Sequence, residues 1–429
     1  KEENRKNFSK YVSQNILGMI GFSCYVLADS YFISIAKGAD GLTALNLVMP
    51  LYSIIFSIGE MIGVGSAIRY AISKIKKDAD ADDYFWNAII WCIMSSMIFV
   101  FAGIFSSSDI MRVLGADEHI VAVGNNYTKI FMCFAPMFMC NYVTNAFVRN
   151  DGAPGIAMSA TLFSSLFNIV FDYILMFPMN LGMEGAALAT ALSPIIGMGI
   201  CSIHFFSKKS SVRLVVCKPS VRKLVAGSQL GVSAFVGEMS SAVITLAFNF
   251  VILKLTGNVR VAAYGVVANI AIVTTAVFNG VAQGSQPLIS SCFGRGDKDG
   301  CTQLKRMGYT TAFVLAAVMY SILFIFAEQF VAVFNSEGSE MLRLYATEGV
   351  KLYFIGIFFA GINIVGGGAF SATEDAFKAA VVSVARGFVL ILGAVFVMSA
   401  LFGMTGVWLA YAVAEGITTF IMLVMALRV

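Results

Sequence analysis

Histidine is almost missing from this chain: His119 and His204 are the two in 429 residues. That is too few imidazoles for a histidine-ligated metal centre. The eight cysteines stand singly with no CxxC pair, so neither a zinc site nor a disulfide framework is indicated. Charge is scarce as well. Asp, Glu, Lys and Arg make up 13% of the residues against 58% hydrophobic, roughly half the charge a soluble protein carries. No Ser/His/Asp arrangement, metal-ligand spacing or phosphate-binding glycine loop is present, and DGAPG and GRGDKDG read as turns between helices. An enzyme, a metal site or a bound cofactor is not expected, beyond a possible Na⁺ or H⁺.

What the chain has in abundance is long apolar runs. Runs of about 20 residues cross a bilayer as helices, and twelve are expected, at 12–35, 43–72, 84–105, 120–147, 156–179, 184–206, 226–255, 260–292, 307–334, 349–372, 377–400 and 404–427. A β-barrel would show short alternating segments instead. The fold class is therefore an all-α polytopic membrane protein. The opening KEENRKNFSK leads into a full-length span rather than a short apolar region with a cleavage site. No cleavable signal is expected, and the missing initiator Met suggests a few trimmed residues.

The first half is written again in the second. LTALNLVMPL from Leu42 returns as VAAYGVVANI from Val261, and the same 219-residue shift puts Gly65 and Ser66 on Gly284 and Ser285. Further on, LGMEGAALA from Leu181 returns as FGMTGVWLA from Phe402, a shift of 221. The expectation is two pseudo-symmetric six-helix bundles with a central cleft: a lobe at 1–206, a polar linker at 207–225 and a second lobe at 226–429. Paired repeats of this kind are common in transporters. An even helix number per half makes the two lobes parallel.

Basic residues set the orientation. In alternate loops only Lys37, Arg112, Arg260 and Arg343 appear, while the remaining loops and termini hold most of the rest, from Arg5 to Arg428. Both termini are expected in the cytoplasm and the protein in the plasma (inner) membrane. The basic 207–225 linker is a topology signal, or a surface for anionic lipid; nucleic acid is not an expected partner.

Ionisable residues within a span are costly and mark function by default. Asp29, Glu60, Asp172, Glu238, Arg386 and Glu415 stand out. Asp29, Asp172 and Thr190 each lie about six residues from the outer end of their helices, roughly 9 Å deep. Asn168 shares a helix face with Asp172, and Tyr25 with Asp29. Two carboxylates at one depth in low dielectric cannot both ionise cheaply, so such a pair takes up a proton readily. With the neutral oxygens of Asn168 and Thr190, Asp29 and Asp172 also suit Na⁺. Alternatively each acid is a packing residue with a satisfied hydrogen bond. Glu60 falls mid-helix opposite Asn279 under the 219 shift, with Gln283 one turn further. These are candidates for receiving a cationic substrate, as is Glu238. A buried protonated Glu60 bonded to a neighbouring helix is an equal alternative. Arg386 and Glu415, at similar depth in adjacent helices, read as a structural ion pair. Pro50, Pro136, Pro194 and Pro287 are expected to interrupt helices 2, 4, 6 and 8. The 22 Met and 37 Phe suit apolar cations, although most must face lipid or other helices.

GVAQGSQPLISSCFGRGDKD (280–299), VLADSYFIS (26–34) and FVRNDGAP (147–154) carry a resemblance. The chain resembles the multidrug and toxic compound extrusion (MATE) transporters over essentially its whole length, in particular their MepA/DinF-like bacterial branch. The resemblance implies two six-helix lobes and drug antiport against H⁺ or Na⁺ by rocker-switch alternating access. It places the family's N-lobe cation site on Tyr25, Asp29, Asn168, Asp172 and Thr190, and the helix 7 acid of sodium-coupled members on Glu238. The helix 10 acid of those members is missing here, with Asn363 as a modest substitute. The expected function is export of organic cationic or amphipathic drug-like compounds by a monomer in the bilayer. A lipid-linked precursor flippase of the same superfamily is the alternative. A non-transport receptor has no motif in its favour.

Overall fold

The computed structural model describes residues 1–256, 258–335 and 338–427; Arg428, counted above with the cytoplasmic charges, lies outside the described residues. The described residues are helical throughout, with no strand among them. In lipid a span must satisfy its own backbone groups, and a helix does so within itself. The helices are α1 Glu2–Gly38, α2 Ala44–Ile75, α3 Asp83–Val113, α4 Glu118–Cys133 with Ala135–Asn150, α5 Pro154–Met176 and α6 Met183–Phe205. They continue as α7 Val232–Thr256, α8 Arg260–Gly294, α9 Lys298–Ile325 and α10 Glu340–Ala372. The last helical stretch, Ala376–Leu427, has 52 residues, about 78 Å of helix against a hydrocarbon core of about 30 Å. It breaks at Gly403 (φ 63°) into α11 (376–402) and α12 (404–427). With α4 taken as one bent span, the described helices make twelve crossings.

The repeat reaches down to the backbone breaks. Gly182, before α6, has φ 59° and ψ −128°; Gly403, before α12, has φ 63° and ψ −136°. These two glycines are paired by the 221-residue shift, and both occupy a backbone region that a Cβ disfavours. The 46° bend of α4 at Phe134 corresponds to the 3₁₀ turn at Phe354–Gly356 in α10. The kink of α3 at Ser106 (φ −138°) corresponds to Phe326, where α9 gives way to the short helix Ala327–Phe334. Proline contributes less than expected. The helix runs on through Pro50, Pro194 and Pro287, and of the four only Pro136 stands at a break. A proline removes one hydrogen bond, and the turns on either side can hold the helix when it is enclosed by apolar neighbours.

The chain groups into two compact units. An N-terminal unit comprises Ser13–Glu238 with Ser290–Asp297, and a C-terminal unit comprises Met239–Ile289 and the chain from Lys298 on, with Lys1–Val12. The core of the first is aromatic and sulfur-rich: Tyr52 stacks on Phe131 with centroids 4.1 Å apart, and Phe138, Phe147 and Met139 are fully enclosed around them. In the second, Phe248 stacks on Tyr264 at 4.9 Å and Tyr353 on Tyr411 at 4.5 Å.

The polar connection between α6 and α7 is tied into the N-terminal unit. Trp86 Nε1 donates to the Cys217 carbonyl (2.9 Å) and Trp91 Nε1 to that of Ser220 (3.2 Å). The Ser220 amide donates to Asn87 Oδ1 (2.7 Å). Ser220 caps a helix at Val221–Leu230, where Arg69 Nε donates to the Ala226 carbonyl (2.9 Å) and Lys223 Nζ pairs with Asp80 Oδ2 (2.6 Å). The Lys223 ammonium holds the Asp80 carboxyl below its usual range. This short helix lies against α2 without room for side chains: a Cβ on Gly65 would overlap the Gly227 carbonyl, and one on Gly231 the Met61 carbonyl. Gly65→Leu is therefore expected to destabilise the protein by about 1–3 kcal/mol, the cost of overpacking, and to raise proteolytic cleavage of the 207–225 segment. Unchanged cleavage would show that the contact is dispensable.

Candidate functional site

Asp29 on α1, Asn168 and Asp172 on α5, and Thr190 on α6 come together inside the N-terminal unit. Their relative exposures are 7%, 0%, 0% and 2%. The Asp29 and Asp172 carboxyls are close enough to interact directly. Asn168 and Asp172 share a face because they are one turn apart, and α5 and α6 are joined by the tight turn that ends in Gly182. Asn168 Nδ2 reaches Ser193 Oγ at 3.5 Å, and Ser193 Oγ donates to the Thr190 carbonyl at 3.0 Å.

The oxygens of this cluster are largely unanswered. Asp29 Oδ1, Asn168 Oδ1, Asp172 Oδ1 and Oδ2, and Thr190 Oγ1 are buried and have no hydrogen-bond partner. Buried polar atoms are nearly always paired; here four carbonyl or carboxyl oxygens and one hydroxyl oxygen stand unpaired in one place, an excess of acceptors over donors. A proton or a small hard cation such as Na⁺ suits such a set, since hard cations take oxygen ligands. Tyr25, half-buried one turn from Asp29, lies within electrostatic reach of both carboxyls. Two further tyrosines, not singled out in the sequence, also feel those carboxyls: Tyr52 and Tyr127, whose hydroxyls are 2.8 Å apart.

The other candidates fall elsewhere. Glu60, buried on α2, and Glu238 on α7 are in hydrogen-bonding contact, a second carboxyl pair of the N-terminal unit, with Arg149 and Tyr142 within electrostatic reach. Asn279 and Gln283 are half-buried one turn apart on α8, in the C-terminal unit. Asn363 is buried on α10 and takes part in a network with Arg386 and Glu415. Arg386 Nε lies 2.8 Å from Glu415 Oε1. Asn363 Nδ2 donates to Glu415 Oε2 (2.7 Å), and Thr419 Oγ1 donates to Asn363 Oδ1 (2.8 Å).

Both histidines face a carboxylate far from them along the chain. His119 Nε2 is 2.8 Å from Asp40 Oδ2 on the surface. His204 Nε2 is 2.7 Å from Asp151 Oδ2, enclosed at the ends of α6 and α4, and the Ser211 amide donates to the same oxygen at 2.8 Å. No group of three or more His, Cys, Asp or Glu is arranged to hold a metal ion among the described residues.

Comparison with known proteins fits this architecture. The MatE family profile matches residues 15–174 and 234–397. Multidrug export protein MepA of Staphylococcus saprophyticus is 26% identical over 410 residues, covering 94% of this chain and 89% of that protein. Its namesake in Staphylococcus aureus is 27% identical over 414 residues, with the same coverage. Among solved structures, a MATE protein in complex with MaL6 superposes with a TM-score of 0.92 at 20% identity, covering 99% of this chain and 96% of that one. A MOP superfamily transporter from Pyrococcus furiosus superposes at 0.91 and 20% identity, covering 99% and 95%. At such identity these structures speak to the fold. The two profile segments together span most of the sequence, one in each half, and on that ground this chain belongs to the MatE family of multidrug transporters, membrane transport proteins with many spanning helices.

Proposed function

We propose that this protein exports organic cationic and amphipathic compounds by antiport against H⁺ or Na⁺, acting as a monomer by alternating access. In this reading both termini face the cytoplasm and the protein sits in the plasma membrane. The observation that carries it is the set of unpartnered buried oxygens on Asp29, Asn168, Asp172 and Thr190. The relatives named multidrug export protein support the substrate class. An entering ion satisfies the set, and it drives transport only through its different affinity for the two states of the carrier. The flippase alternative calls for free basic groups to hold a diphosphate; the Arg386 guanidinium is instead matched by Glu415.

The test is ethidium flux in proteoliposomes with pH and sodium gradients imposed separately. One of the two gradients is expected to drive ethidium against its own gradient. If neither does, the antiport reading is wrong. Thr190→Val then identifies the ion in the same assay. The neutral hydroxyl matters for coordinating Na⁺ but not for holding a proton on a carboxylate. Sodium-driven flux is expected to fall roughly tenfold, on losing about 1.4 kcal/mol of ion affinity, whereas proton-driven flux is expected to persist.

A further inference from the structure

The C-terminal unit contains a second constellation of the same three oxygen types, a buried carboxylate (Glu415), a buried amide (Asn363) and a half-buried hydroxyl (Thr419). It is built on the corresponding seam. Under the 221-residue shift α11 and α12 repeat α5 and α6, placing Arg386 opposite Ser165 and Glu415 opposite Pro194. Ser165 lies on the face of α5 that carries Asn168 and Asp172, and Pro194 follows Ser193. The positions of the first cluster itself are occupied by Val389, Gly393 and Tyr411, so the second cluster is displaced by about one turn on each helix.

The two clusters differ in one respect. In the N-terminal unit the oxygens lack partners. In the C-terminal unit they are matched: Glu415 Oε1 by Arg386 Nε at 2.8 Å, Glu415 Oε2 by Asn363 Nδ2 at 2.7 Å, and Asn363 Oδ1 by Thr419 Oγ1 at 2.8 Å. The side chains of Arg386 and Glu415 are 13% and 3% exposed. Arg386 rides on a single π turn, Ala385–Val389, a local widening that occurs often at functional positions and is not needed merely to place two side chains opposite one another. Tyr411 lies within reach of the guanidinium, stacked on Tyr353, and Gly356 leaves no space for a Cβ beside its ring.

We infer that Glu415, Asn363 and Thr419 form a second monovalent-cation site whose cation is the tethered Arg386 guanidinium, so that the C-terminal unit exchanges no ion of its own. The comparison of roles rests on the antiport reading above; the site itself does not.

The experiment uses full-length purified protein carrying Asp172→Asn throughout, which removes the N-terminal cluster from the comparison. Thermal unfolding is followed for Arg386, Arg386→Gln and Arg386→Gln/Glu415→Gln in choline, sodium and millimolar guanidinium chloride. In choline, Arg386→Gln is expected to melt well below its parent. Sodium or guanidinium is expected to restore at least about 3 °C of the loss through binding to the folded state. The parent and the double variant should show no such response. If Arg386→Gln cannot be purified in choline, recovery of folded protein in sodium or guanidinium alone supports the site in the same way. Loss of stability without ion rescue, while the double variant is stable, would show an ordinary ion pair and overturn the proposal. So would an Arg386→Gln variant as stable as its parent in choline. Failure of gradient-driven flux in the wild type would overturn the antiport reading and leave this result standing.

Discussion

Replacing Asp29 with Asn is expected to leave the protein folded and to stop gradient-driven ethidium efflux from proteoliposomes. The Asp29 carboxyl sits beside that of Asp172 among unanswered oxygens, so an amide there removes a charge, keeps the side chain's shape and adds donors where acceptors are in excess. Stability is unchanged or higher, because a buried group without partners costs about 1–3 kcal/mol. The functional loss is large, because an amide cannot take up and release a proton and offers Na⁺ an oxygen but no charge. With no ion exchanged, driven and undriven flux are expected to become equal. Asp172→Asn gives the same result. Efflux that persists in Asp29→Asn, with protein amount and melting matched to wild type, would remove this carboxyl from the coupling mechanism.

The carboxylate of the C-terminal unit behaves in the opposite way. Glu415→Ala is expected to cost about 3–5 kcal/mol, the penalty for leaving one member of a buried pair unmatched; it also removes one of the two hydrogen bonds that Asn363 Nδ2 donates, the one to the Glu415 backbone carbonyl remaining. The measurement is thermal unfolding of the purified protein. Arg386→Leu/Glu415→Met should recover most of the loss, since two apolar side chains of similar volume leave no charge unpaired. A Glu415→Ala protein that melts like wild type would mean that water already solvates the Arg386 guanidinium. The two acids are thus expected to contrast within one chain: neutralising Asp29 should spare the fold and abolish driven transport, whereas truncating Glu415 should damage the fold.

Much of the cluster could be read from the sequence because helices in a bilayer act as rulers. Counting residues from the span ends placed Asp29, Asp172 and Thr190 at one depth, and the helical period added Asn168 and Tyr25. The same method works for Arg386 and Glu415, where two rare charges occur in adjacent spans. It is blind to neutral groups in apolar runs. Ser193, Tyr52 and Tyr127 have no periodicity or cost that distinguishes them from other residues of their helices. Pairings across long separations, such as His204 with Asp151, depend on how the helix ends are gathered. Composition marks the linker only as a charge signal; its attachment rests on Trp86, Trp91 and Gly65, whose roles appear only when α2 and α3 are placed beside it. Prolines are the usual sequence sign of a backbone break, yet Ser106, Phe134 and Gly403 carry three of them, at positions that recur in the other half of the chain.

Antiport requires that the oxygen cluster of the N-terminal unit move an ion in exchange for drug. The most direct measurement imposes an ethidium gradient across sealed proteoliposomes, with no ion gradient, and records the movement of H⁺ and Na⁺ for wild type and Asp172→Asn. In the wild type, ethidium is expected to drive one of these ions in the opposite direction, and in Asp172→Asn no ion should move. Ion movement of wild-type size in Asp172→Asn, or none in the wild type while ethidium crosses, would contradict it.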